Sequence, residues 1–141
     1  MSYNLEFIVK TCFLTPFALC YYYTSIRGEF FVKRLIEKEM LLLGAPTGRL
    51  GYAQMVCAIE LIMNGSRVIS TTHELYPQVA ALCGTKPARI ERNVREEIRA
   101  IWDYGNQERL DSMFYNRDKY PPGNKEFLYT IAKHLEQQIA L

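Results

Sequence analysis

YPQVAALCGTKPARIERNVREEIRAIWDYG, residues 76–105, reads as two helices joined by a tight turn. Pro77 sits where a helix start tolerates a residue without a backbone N–H, Gln78 to Cys83 continue that helix, and Gly84 closes it. Thr85 is the expected N-cap of the next helix, and Pro87 lies in its first turn. That helix runs through Trp102 or Tyr104 until Gly105. With Tyr76 taken as the first position of a helix-turn-helix unit, Ala80 is fifth, Gly84 ninth and Ile90 fifteenth, the small, turn and core places of the motif. Val79 and Cys83 fill two further core places. Asn93, in the eighteenth place, is polar where an apolar residue is usual, although Val94 beside it can serve.

The angular positions of side chains on the second helix carry the functional reading. At about 100° per residue, with Arg89 at zero, Ile90, Val94, Ile98 and Ile101 fall between about 100° and 180°, a narrow stripe that must face a core. Arg92 lies at about 300°, Arg99 at about 280°, Arg95 at about 240° and Lys86 at about 60°, so Arg89 and Arg92 point away from the stripe. The exposed face is therefore basic in its N-terminal half. In helix-turn-helix proteins that half enters the major groove, where Arg can read guanine O6 and N7 and Lys or Arg can hold phosphates. The same charges also suit a solvated helix, because Arg92 faces Glu96 and Glu91 faces Arg95 at i,i+4, and Glu91, Glu96 and Glu97 dilute the positive field. Charge pattern alone leaves both readings open.

Outward from this unit the chain continues in helical periods. Residues 29–43 (EFFVKRLIEKEMLLL) place Phe31, Leu35, Met40 and Leu42 or Leu43 on one side, and Gly44-Ala45-Pro46 stops them. A second, well-buried helix is expected from about Gly48 to Asn64 on the recurrence of Tyr52, Val56, Ile59 and Met63. Ser66 to Glu74 reads as one or two short turns. Arg117 to Gly123 (RDKYPPG) is polar with two prolines and reads as a connector. The fold class expected is all-α: a compact domain of about six helices over residues 29–141, with a helix-turn-helix at about 76–104, preceded by an apolar, aromatic segment at 1–28.

Composition bounds the function classes. With 141 residues, 49% of them hydrophobic, the chain should hold one compact domain. Its 17 Lys+Arg against 15 Asp+Glu leave a net charge of +2, so an anion-binding surface must come from local clustering. Cys12, Cys20, Cys57 and Cys83 form no C-x-x-C pair, so no metal site or cofactor is expected. Cys57 and Cys83 fall in apolar helical patterns and read as reduced core residues of a cytoplasmic protein. From Thr11 to Ile26 the chain carries no charge, but that run is shorter than the ~20 apolar residues a spanning helix needs, so membrane attachment is not expected. No nucleophile elbow, phosphate loop or H-E-x-x-H motif accompanies His73 or His134, so the chain does not read as an enzyme.

Several stretches in register resemble a known family. Glu74-Leu75-Tyr76-Pro77, GTKPARIERNVR at 84–95 and AIWDYGN at 100–106 look like the C-terminal effector domain of the stage-zero sporulation response regulator of endospore-forming Firmicutes. Gly44-Ala45-Pro46 and Gly51-Tyr52 upstream, and Asn124-x-Glu126-Phe127 downstream, extend the likeness over Glu37 to Leu141.

The resemblance implies a helical, sequence-specific DNA-binding transcriptional regulator of sporulation. Arg89, Arg92 and Arg95 would read a short operator box, with Glu91 contacting bases or orienting an arginine. The chain has Lys86, Ala88 and Glu96 where the family usually has Thr, Ser and His. Lys86 adds a phosphate donor; Glu96 brings a negative charge that can accept from cytosine N4 and shift specificity. The partners implied are double-stranded DNA, a second copy of the chain bound head-to-tail on tandem boxes, and the RNA polymerase sigma factor. Residues 106–116 (NQERLDSMFYN) would meet the sigma factor, with Glu108, Arg109 and Asp111 as exposed candidates. The residues before the effector region are too few for the family's receiver domain, so direct control by phosphorylation is not expected. The alternative function is a degenerate effector that modulates sigma factor or the full-length regulator through protein contacts.

Overall fold

A computed structural model describes residues 16–65 and 71–140, with side chains described for 28–65 and 73–140. Every regular element among these residues is helical, as the periodicities imply. In order they are α1 (Pro16–Leu42), α2 (Leu50–Met63), a π-helical turn (Thr71–Leu75), α3 (Tyr76–Cys83), α4 (Pro87–Tyr104), α5 (Gln107–Met113) and α6 (Asn124–Ala140). Contacts divide the chain into two units, Met1–Phe31 and Val32–Leu141. All of the uncharged stretch from Thr11 to Ile26, with Cys12 and Cys20, and residues 66–72 of the turns expected from Ser66 to Glu74, lie outside the residues whose side chains are described. No helix among the described residues is long and apolar enough to cross a membrane.

The core of the second unit forms around α2. Met55, Ala58 and Ile59 of that helix are fully buried, as are Ile90, Val94 and Ile101 of α4 and Phe127, Leu128, Ile131 and Leu135 of α6. Each of the larger aliphatic or aromatic side chains contributes about 1.5–3 kcal/mol relative to exposure. The stripe on α4 is therefore the one its 100° spacing dictates. On α1 the stripe is rotated from the expected one. Ile36, Met40 and Leu43 are buried, whereas Phe31 and Leu42 are 59% and 42% exposed. Ile36, Met40 and Leu43 follow i, i+4, i+7 spacing, and Phe31 lies about 140° away from Ile36 on that wheel.

The turn between α3 and α4 differs from expectation at two residues. Gly84 is left-handed at φ +65°, which favours glycine, and the Thr85 N–H donates to the Ala80 carbonyl at 3.0 Å. Thr85 thus completes the C-terminal turn of α3, and Lys86, with extended φ and ψ, is the N-cap of α4. Cys83, expected in the core, is exposed because it ends α3 and no further turn covers it. Its thiol lies within hydrogen-bond reach of the half-buried Cys57 thiol. Burial, then the neighbouring Cys83 and Glu60, push Cys57 up to about 11.

Asn93 is also explained by packing. Its Nδ2 donates to Oε1 of the buried Gln54 at 3.0 Å, so the polar residue in an apolar place of the motif is matched by a polar partner on α2. The helices cross closely beside this bond. A Cβ on Gly51 would stand 2.5 Å from the Asn93 carbonyl oxygen, so only glycine permits the approach.

Candidate nucleic-acid interface

Three features present the N-terminal half of α4. The left-handed Gly84 ends α3, the extended Lys86 turns the chain, and Pro87 supplies a first helical residue whose missing N–H costs nothing there. No side chain caps the first turn of α4, where Pro87 has no N–H and the Arg89 N–H donates to the Lys86 carbonyl at 3.0 Å, and the positive end of the helix dipole faces outward with Lys86, Ala88 and Arg89. The buried stripe holds the opposite side of the helix against α2 and α6, which fixes the direction of the basic face.

The structure resolves the predicted charges into two classes. Arg92 Nε pairs with Glu96 Oε1 at 3.1 Å, and Arg95 Nη2 pairs with Glu91 Oε1 at 2.6 Å, the two i,i+4 pairs legible in the sequence. Both pairs are largely exposed; Arg92 is 79% exposed. Exposed pairs of this kind contribute about 0.3–0.5 kcal/mol, so they hold the arginines in place without committing them. Arg89, Arg99 and Lys86 are exposed and make no ion pair among the described residues. Glu97, on the α2-facing side, is fully buried and both of its oxygens lack a hydrogen-bond partner. Burial raises it to about 7, against the pull of Arg49.

Residues that the sequence reading left out stand on either side of α4. Beside Glu96 and Glu97, a cavity of about 260 Å³ is walled by Arg49, the N-cap of α2, with Leu50, Gly51 and Asn93. On the other side an open cleft of about 490 Å³ is lined by Arg95 and Arg99 of α4, by the 120–123 segment and by Lys125. The segment expected to be a bare connector is anchored to α4. Trp102 Nε1 donates to the Asp118 carbonyl at 3.1 Å, and the Arg117 guanidinium stacks 4.8 Å from the Trp102 ring centroid while pairing with Asp111 at 2.9 Å. Asn124 Nδ2 donates to both Tyr76 Oη at 3.0 Å and the Glu91 carbonyl at 3.1 Å. A Lys next to an Asn-x-Glu-Phe helix start was the available signal, but its nearness to Arg95 and Arg99 is purely tertiary.

The residues proposed from resemblance to meet a sigma factor are not equivalent. Glu108 is exposed, and Asp111 is exposed while pairing with Arg117. Arg109, expected to be exposed, instead grips the buried Glu39 of α1 through Nε at 2.6 Å and Nη2 at 2.7 Å. That bidentate bond raises the guanidinium further above its ordinary value and makes Arg109 a structural clasp between α1 and α5.

The family model described as Sporulation initiation factor Spo0A C terminal matches residues 36–135. That span runs from the first buried residue of α1 to Leu135 of α6 and contains the whole helix-turn-helix. The family is one of DNA-binding transcription-factor domains, not of enzymes. A basic, uncapped helix presented by a helix-turn-helix is the surface such a domain needs, and the chain belongs to the Spo0A C-terminal family of sporulation-related DNA-binding effector domains.

Proposed function

We propose that the chain reads operator DNA in the major groove with the N-terminal half of α4, as a transcriptional regulator in the cytoplasm. Arg89 is the principal guanine reader. It stands in the first turn, exposed and without an ion pair among the described residues, on the side of the helix opposite Val94 and Ile98, and this observation carries the proposal. Arg92 and Arg95 divide between base and phosphate contacts, exchanging their weak pairs with Glu96 and Glu91 for contacts to DNA. Glu91, once released, orients an arginine or meets a base, and Glu96 accepts from cytosine N4. Lys86 holds a phosphate beside the uncapped helix start. Two copies bind head-to-tail on tandem boxes, and the exposed Glu108 and Asp111 are the residues available to a sigma factor.

Gel-shift titration against a duplex carrying a sporulation box tests the recognition helix. The double variant Arg89→Ala, Arg92→Ala is expected to lose at least about 2 kcal/mol of binding and its discrimination against a scrambled duplex, because each good bidentate base contact supplies about 1–3 kcal/mol. Undiminished binding by that variant sinks the assignment.

A further inference from the structure

The cleft between α4 and the 120–125 segment has a charge and a position that reading bases with Arg89 and Arg92 does not use. Arg95, Arg99 and Lys125, whose Nζ lies 5.8 Å from the Tyr129 ring centroid, line it together with the single carboxylate of Glu91, which Arg95 already neutralises at 2.6 Å. Arg99 makes no ion pair among the described residues. On the helical wheel Arg95 and Arg99 lie at about 240° and 280°, between the apolar stripe and the outward direction of Arg92. The cleft therefore opens on the flank of the basic face, beside the residues that would meet bases.

Its outer wall is held in place. Trp102, Arg117 and Asn124 tie the segment to α4 and α3 through the bonds described above, and those bonds attach at both ends of the 117–124 stretch. Tyr120, 75% exposed, stands on this wall with Lys125 at the start of α6. A cationic rim fixed to the groove helix by its own backbone is built to keep a constant distance from whatever that helix enters.

The major groove is about 12 Å wide and is bounded on both sides by phosphates. A helix seated in it places any element on its flank against one of those backbones. We infer that the cleft formed by Arg95, Arg99 and Lys125 binds the sugar-phosphate backbone at one edge of the groove that α4 enters, so that the 120–125 segment acts as a lateral phosphate clamp. The inference rests on the reading of α4 as the groove helix, gives Arg95 its phosphate role there, and adds Arg99 and Lys125, which that reading does not use. The clamp supplies sequence-independent affinity and sets the angle of α4 in the groove, because phosphate contacts position and base contacts specify.

Salt dependence separates this site from the base readers. Fluorescence anisotropy on the full chain, with a sporulation-box duplex and a scrambled duplex, gives the slope of log affinity against log salt. For Arg99→Ala, Lys125→Ala the slope is expected to fall by about 2, since each phosphate contact contributes about 0.9. Between about 50 and 200 mM salt the wild-type chain then loses roughly tenfold more affinity than the variant. The weakening should be the same on both duplexes, Lys125→Glu should weaken binding further than Lys125→Ala, and Arg99→Lys should keep the wild-type slope. Both side chains are exposed, and far-UV circular dichroism checks that the variants remain folded. An unchanged slope, or a loss confined to the sporulation-box duplex, overturns the clamp. If discrimination is nevertheless lost in Arg89→Ala, Arg92→Ala, the groove reading survives without it; if the wild-type chain binds neither duplex, both fall.

Discussion

Replacing Glu97 by Gln should stabilise the protein at alkaline pH and flatten its pH profile. Glu97 is fully buried on the α2-facing side of α4, neither carboxyl oxygen has a partner, and burial raises its pKa to about 7 from 4.5. In the unfolded chain the group titrates near its ordinary value, so between about 4.5 and 7 the folded state holds more protons than the unfolded state. Stability from this group is therefore fully present below the unfolded pKa and is lost as pH rises through the folded value. The slope approaches about 1.4 kcal/mol per pH unit, and the total reaches about 3 kcal/mol above pH 7. Gln keeps the shape of the protonated acid and cannot ionise. The assay is thermal unfolding of wild type and Glu97→Gln in matched buffers from about pH 4 to 8.5. The two should agree near pH 4 and separate as pH rises, with the variant higher by roughly 10 °C at pH 8. Taking the difference cancels the contributions of other titrating groups. Parallel profiles across the whole range would refute the reasoning, because they would mean that Glu97 ionises in the folded protein as easily as in the unfolded one.

Two further outcomes test the packing that aims α4. Gly51→Ala should cost about 1–3 kcal/mol in urea denaturation, since its Cβ meets the Asn93 carbonyl oxygen at 2.5 Å and the helices must part. Glu39→Ala should cost about 2–4 kcal/mol by the same measurement, because it strands the Arg109 guanidinium, while Glu39→Leu, Arg109→Leu should recover much of that loss.

The helix-turn-helix was legible because its determinants are local. Gly84 ends α3, Pro87 starts α4, and Ile90, Val94, Ile98 and Ile101 repeat at the helical period, all within one short stretch. The pairs Arg92–Glu96 and Arg95–Glu91 were legible for the same reason, since i,i+4 spacing on a helix is itself a contact. Thr85 was misread because N-cap preference was weighed without the competing demand for its N–H at the end of α3. Phe31 was misread because its spacing to Leu35 was counted as one apolar side, although the buried stripe of Ile36, Met40 and Leu43 lies at a different angle. Cys83 was misread because it keeps the spacing of a core residue where the helix runs out.

The sequence by itself determined the helical fold class, the two helices of the helix-turn-helix and the direction of the basic face of α4, because periodicity, turn chemistry and motif register are properties of neighbouring residues. Only the tertiary structure decided that Arg109 is occupied by Glu39, 70 positions away, that Asn93 is satisfied by Gln54, 39 positions away, and that Lys125 shares a cleft with Arg95 and Arg99. Nor could spacing show that Glu97 is the acidic residue of α4 that is fully buried, with neither carboxyl oxygen partnered. A charge's meaning depends on what stands across from it and on how much water is left between them, and around α4 both are fixed by the packing of α2, α3 and α6.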